Sequence, residues 1–273
     1  MKMTRLLFSI FVLCGLTANG QTRYLDLVGE ADKAISQGLW HDAESLLLDA
    51  LEEEPGNPSN FLLWSNLGMA RFNLGRDSLA VEALDKAHGL APRSTVVLDN
   101  RAKVFQAMGR IDDAYADYAS VIAIDSSLVE PRFMHAMLAV MRRDYLTAQE
   151  DIRHLDRLSP DGREAPIARA SLFQSTGQYK EAAAQYDILI ERSPSATFYG
   201  GHAACMLMLG KYGEASEDIA AGLKLDPEDG DLYLYRAYLH KRRYQSRDAD
   251  NDLRRAIGLG VSPQRARALM EHR

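Results

Sequence analysis

The feature that most constrains this chain is a recurring pair of small residues. A glycine or alanine stands at Ala31, Gly68, Ala102, Ala136, Ala170, Ala203 and Ala237, with successive copies 37, 34, 34, 34, 33 and 34 residues apart. Twelve residues after each comes an alanine: Ala43, Ala80, Ala114, Ala148, Ala182, Ala215 and Ala249. Alanine and glycine together are 55 of the 273 residues, so small residues in all fourteen slots are not chance. Four residues beyond each second alanine stands a large apolar side chain, Leu47, Leu84, Tyr118, Ile152, Tyr186, Ile219 or Leu253. A period of this length marks a stack of like units, none of which buries its apolar face alone.

The slots read as two antiparallel helices per unit. Small residues let the two backbones approach, and the large residue fills the space beside them. Gly38, Gly75, Gly109, Gly177 and Gly210 lie between the slots, where a tight reversal is needed, and Pro55, Pro92, Pro160, Pro194 and Pro227 close most copies. Segments such as YKEAAAQYDILIERSP and IDDAYADYASVIAIDSS carry apolar residues at three- and four-residue spacing, as an amphipathic helix requires. No stretch alternates like a strand, so the expected fold is all-α. Arg143 and Tyr244 stand where a turn glycine is expected, and Ser126 and Val261 where a closing proline is.

The start of the chain has a different character. Lys2 and Arg5 precede an uncharged run from Leu6 to Leu16. A membrane-spanning helix needs about 20 apolar residues, so this run is too short and suits the core of a secretory signal peptide. Ala18-Asn19-Gly20 has small residues at the spacing of a cleavage site, so residues 1–20 are expected to be a leader removed before Gln21. Leu13 before Cys14 disfavours a lipid anchor there. Removal takes the net charge from −6 to −8 and leaves Cys205 as the only cysteine, so no intramolecular disulfide is expected. The expected location is periplasmic or envelope-associated.

The segment FLLWSNLGMARFNLGRDSLAVEALDKAHGLAP resembles a tetratricopeptide repeat, with Trp64, Leu67, Gly68, Ala80, Leu84, Ala87 and Pro92 on the family signature. Arg71 takes the slot where the signature has tyrosine. The resemblance covers seven units starting near residues 24, 61, 95, 129, 163, 196 and 230, within an array spanning 21–261. It implies a right-handed α-α superhelix, a solenoid of about seven helix pairs, with residues 262–273 as a short C-terminal capping helix begun by Ser262-Pro263. It also implies binding of other proteins along the concave face made by the first helix of each pair.

Residues six and three before each first small slot, and one, four and five after it, share one helix face. Unit two then offers Leu62, Ser65, Met69, Phe72 and Asn73; unit three offers Val96, Asp99, Lys103, Gln106 and Ala107; unit four offers Glu130, Phe133, Met137, Val140 and Met141. A groove of phenylalanine, flexible methionine and amides suits an extended or helical peptide. Asn66, Phe72, Asn100, Lys103, Phe133, Met137 and Met141 are therefore the candidate partner-binding residues. The carboxylate clamp of one subclass is incomplete here, because Asp32 and Met69 stand where it needs other side chains.

Net charge disfavours nucleic acid, whose phosphates want a basic excess. Charge is also uneven: residues 21–94 carry a net −6 and residues 230–273 a net +5, with Lys241, Arg242, Arg243, Arg247, Arg254 and Arg255 at that basic end. HExxH, GxSxG, GxxxxGK and CxxC are all absent from the sequence. His135 and His202 precede a small slot and read as structural, and Cys205 as a buried small apolar residue. Gly200-Gly201 inside a helix suggests a close backbone contact. No enzyme activity, cofactor or small-molecule substrate is expected. The function expected is an exported scaffold that binds a partner segment in its groove. The alternative is a structural subunit of an envelope or secretion assembly that docks through its convex face or basic end.

Overall fold

The computed structural model of the chain describes residues 20–271. The expected leader, with Cys14, lies outside the described residues apart from Gly20. Among the described residues there are fifteen helices and no strand. They fall in two compact units divided between His135 and Ala136.

In the first unit α1 (Gly20–Ser36) pairs with α2 (Trp40–Glu53), α3 (Asn60–Asn73) with α4 (Asp77–Leu90), and α5 (Thr95–Ala107) with α6 (Ile111–Ile124). Successive pairs stack through α2 on α3, α4 on α5, and α3 on α5. The division falls inside α7 (Val129–Met141), which is followed by α8 (Tyr145–Leu158). In the second unit α9 (Glu164–Ser175) pairs with α10 (Tyr179–Arg192), α11 (Ala196–Met208) with α12 (Tyr212–Leu225), and α13 (Gly230–Arg242) with α14 (Ser246–Gly258). A last helix, α15 (Pro263–Glu271), packs on α13 and α14. This is an all-α helix-pair repeat.

The small slots lie where the paired helices touch, and all fourteen are buried. At Gly68 a methyl group would stand 2.6 Å from Leu84 Cγ and 3.0 Å from the carbonyl oxygen of Ala80, which is why this slot takes glycine and not alanine. Leu47, Leu84, Tyr118, Ile152 and Ile219 are buried beside the slots, while Tyr186 and Leu253 are half-buried.

The turns between paired helices share one geometry. Gly38, Gly75, Gly109, Gly177 and Gly210 have φ between 71 and 76°. Arg143 and Tyr244 take the same left-handed conformation, at φ 61 and 59°. The reason is the shared hydrogen-bond closure: Arg76 N donates to Arg71 O at 2.9 Å, as Asp144 N does to Ala139 O at 2.8 Å and Gln245 N to His240 O at 2.9 Å. The reversal satisfies the helix-end carbonyls whatever residue occupies it.

A polar tie also recurs. The residue before the first small slot bonds one sixteen positions later, on the second helix of the same pair. Arg101 makes two 2.8 Å bonds to Asp117, Arg236 two 2.7 Å bonds to Asp252, His202 one of 2.7 Å to Asp218, and Arg169 one of 3.1 Å to Gln185. In the second repeat this pair is Leu67 and Ala83, both fully buried.

Candidate functional site

A cavity of about 290 Å³ opens on the first unit. Met69, Asn66 and Asn73 reach it from α3, and Val96, Asp99, Asn100 and Lys103 from α5. Glu130 and Pro131, in the first turn of α7, add to the wall. All of these but Pro131 lie on or beside the face that helical spacing assigns to successive first helices. Spacing alone does not reach Trp40, Thr95, Val121, Leu128 and Val129, which add to the lining from helix ends, a turn and a second helix. Ile35 of α1 contributes a further apolar surface.

The polar groups of the cavity differ in how far they are committed. Asn100 Nδ2 donates to the hydroxyl of buried Ser65 at 3.0 Å. Asn73 Nδ2 donates to the carbonyl of Met69, one turn back, at 2.7 Å. The Asn66 amide makes no hydrogen bond among the described residues. Lys103 Nζ lies 2.5 Å from Asp99 Oδ2, an ion pair between successive turns of α5, while Asp99 Oδ1 is buried without a partner. Beneath α5 the fully buried Tyr118 phenol has no hydrogen-bond partner. Its pKa is raised, first by burial and then by the charges of Asp99 and Glu130.

The structure therefore brings Asn66, Asn100 and Lys103 together around one cavity. Phe72 does not line it; half-buried, it packs with Met69 and Met108 against Ala80, Leu84 and Val104. Phe133 is half-buried on α7 and also lies outside the lining. Met137 and Met141 belong to the second unit, the former half-buried and the latter 62% exposed.

The other singled-out groups are structural. His135 stacks on Tyr115, ring centroids 4.2 Å apart. His202 lies between Asp218, at 2.7 Å from Nδ1, and Asp187, at 3.3 Å from Nε2. The Asp218 hydrogen bond is the largest cause raising its pKa. Cys205 is buried, accepts from Gln174 Nε2 at 3.4 Å, and has its thiol pushed up to about 11 by burial. At the basic end several cations are engaged within the chain: Lys241 with the Met270 carbonyl, Arg254 with Asn251 at 2.7 Å, and Arg242 and Arg255 over the rings of Tyr212 and Tyr233. Arg243 and Arg247 are exposed. No cluster of three or more His, Cys, Asp or Glu side chains among the described residues is arranged to hold a metal ion. No helix among them is long and apolar enough to cross a membrane.

Comparison with known proteins fits this architecture. The tetratricopeptide repeat family model matches residues 28–95 and 167–230. A solved tetratricopeptide repeat protein from Parabacteroides merdae is 24% identical over 92% of this chain and 98% of its own, with a TM-score of 0.83. PilF of Pseudomonas aeruginosa is 17% identical over 80% of this chain and 98% of its own, with a TM-score of 0.62. A chain of the APC/C hetero-tetramer Cut9–Hcn1 is 16% identical over 93% of this chain and 56% of its own, with a TM-score of 0.63. At these identities the likeness is one of fold.

Proposed function

Since the chain is a tetratricopeptide repeat protein, we propose that it is an exported, non-enzymatic scaffold that holds a segment of another protein on the first-helix face of its first unit. The observation that carries this reading is the Asn66 amide, unbonded among the described residues, in a cavity walled by Met69, Val96 and Leu128. An extended segment bound there loses water from its backbone, and an uncommitted amide replaces part of what is lost. Asn100 is fixed by Ser65 and retains its carbonyl oxygen as an acceptor. Export rests on the charge and apolar pattern of residues 1–20 and is tested by the intact mass of the native protein, which should begin at Gln21.

The groove reading is tested by crosslinked capture from the protein's native envelope. Asn66→Ala breaks no hydrogen bond among the described residues, so its unfolding midpoint should match the parent while partner capture falls. A folded variant that keeps every partner would place the binding surface elsewhere. The basic end would then be the next surface to test, through Arg243 and Arg247, two of its exposed cations.

A further inference from the structure

We propose that the bound segment anchors itself in the first-unit cavity by a basic side chain, an arginine or a lysine; this rests on the groove reading above. The cavity wall holds two carboxylates, Asp99 and Glu130, and one ammonium, Lys103. Lys103 is already matched, 2.5 Å from Asp99 Oδ2. Asp99 Oδ1 is buried and unpartnered, and a buried acceptor without a donor is costly to leave. Glu130 is exposed at the start of α7 and makes no ion pair or hydrogen bond among the described residues.

The site thus carries unmatched negative charge beside apolar walls. An entering carboxylate would meet an ammonium already spoken for and two like charges. An entering cation supplies a counter-charge for the exposed Glu130 and feels the nearby charge of Asp99. The net −6 of residues 21–94 adds a field of the same sign. Arginine and lysine both join an aliphatic stem to a cationic head, and the stem has Ile35, Met69 and Leu128 to lie against. A purely apolar anchor would fill the same space and leave Glu130 without a counter-charge.

The test is selection of short end-blocked random peptides on the full chain, followed by titration of the selected peptides. The expected result is enrichment of arginine or lysine at one peptide position. Glu130→Gln, an exposed change, should weaken those peptides by about five-fold, the scale of one partly exposed ion pair. Asp99→Asn should weaken them further, and raised salt should reduce the preference. Should Asp99→Asn unfold the chain, Glu130→Gln carries the test by itself. Selected peptides with no basic preference would overturn the anchor and leave the groove reading standing. A basic preference untouched by the folded variants would likewise overturn it, because the cation would then sit elsewhere. Failure to select any peptide would overturn the groove reading and the anchor together.

Discussion

Adjacent glycines in α11 should respond to the same substitution with opposite signs. An interior helical glycine costs about 1 kcal/mol relative to alanine, so propensity alone would make both Gly200→Ala and Gly201→Ala stabilising. Their surroundings separate them. A methyl at Gly200 would meet Leu232 Cδ2 at 3.5 Å, an ordinary contact. A methyl at Gly201 would stand 2.3 Å from Cε1 and Cζ of Tyr186 and 2.8 Å from its phenol oxygen. Carbon atoms rest about 3.5–4.0 Å apart, so the ring must retreat by more than about 1 Å. That ring packs against the buried cluster of α10 and α11, and its hydroxyl donates to Gln174 Oε1 at 3.3 Å. Displacing a packed ring costs about 1–3 kcal/mol, and a weakened hydrogen bond up to about 1 kcal/mol more. After the propensity gain, Gly201→Ala should lower stability by about 1–2 kcal/mol, whereas Gly200→Ala should raise it by about 0.5–1 kcal/mol. Equilibrium urea unfolding followed by far-UV ellipticity resolves that gap. In a Tyr186→Ala background, Gly201→Ala should cease to destabilise. Equal stability of the two single variants with Tyr186 intact would refute the argument, because the ring would then yield freely.

Tyr244 holds φ at 59° with its side chain 95% exposed, so it gives the turn strain and little packing. Tyr244→Gly should raise stability by about 1 kcal/mol, read as a higher urea midpoint, and an unchanged midpoint would show that the conformation is unstrained. His202, whose Asp218, Asp187 and Glu214 neighbours favour its charged form, has a folded pKa above the ordinary 6.5. Its contribution should be fully present below about pH 6.5 and be lost as pH rises through the higher folded value. Unfolding of the parent and His202→Gln across that range should therefore converge on the alkaline side, and a difference that grew with pH would reverse the sign of the argument.

The repeat was legible because its constraint is steric and local. A slot where two helix backbones touch admits only alanine or glycine, so the sequence states the contact directly. The left-handed turn was legible for a similar reason where glycine fills it. Arg143 and Tyr244 hide it, because the closing hydrogen bonds enforce the geometry on a residue that disfavours it. The tie from Arg101 to Asp117 is spelled in the sequence as a cation and an acid sixteen residues apart, but the cation's position reads as packing where Leu67 and Ala83 replace the pair. The cavity was only half legible. Helix periodicity gathers Asn66, Met69, Asn100 and Lys103 on or beside one face, but it cannot foresee that Phe72 turns into packing against Leu84, or that Trp40 and Leu128 close the wall from helix ends and turns.

The same repeat position carries different chemistry in the two units. Two residues before the first small slot stand Gly29, Asn66, Asn100 and Met134 in the first unit, and Ala168, Gly201 and Tyr235 in the second. In the second unit the chain's own side chains use this position: Gly201 makes room for the Tyr186 ring, and Tyr235 takes a 3.3 Å hydrogen bond from Arg265 of the last helix. In the first unit Asn66 and Asn100 at this position line a cavity, and the Asn66 amide is unbonded among the described residues. The helix-pair contact fixes the small slots and the large residue beside them, but it does not fix what projects from the shared face. Stability and recognition therefore rest on different residues of the repeat, and the Asn66 amide and the exposed Glu130 carboxylate can be exchanged without disturbing the slots that hold the helices together.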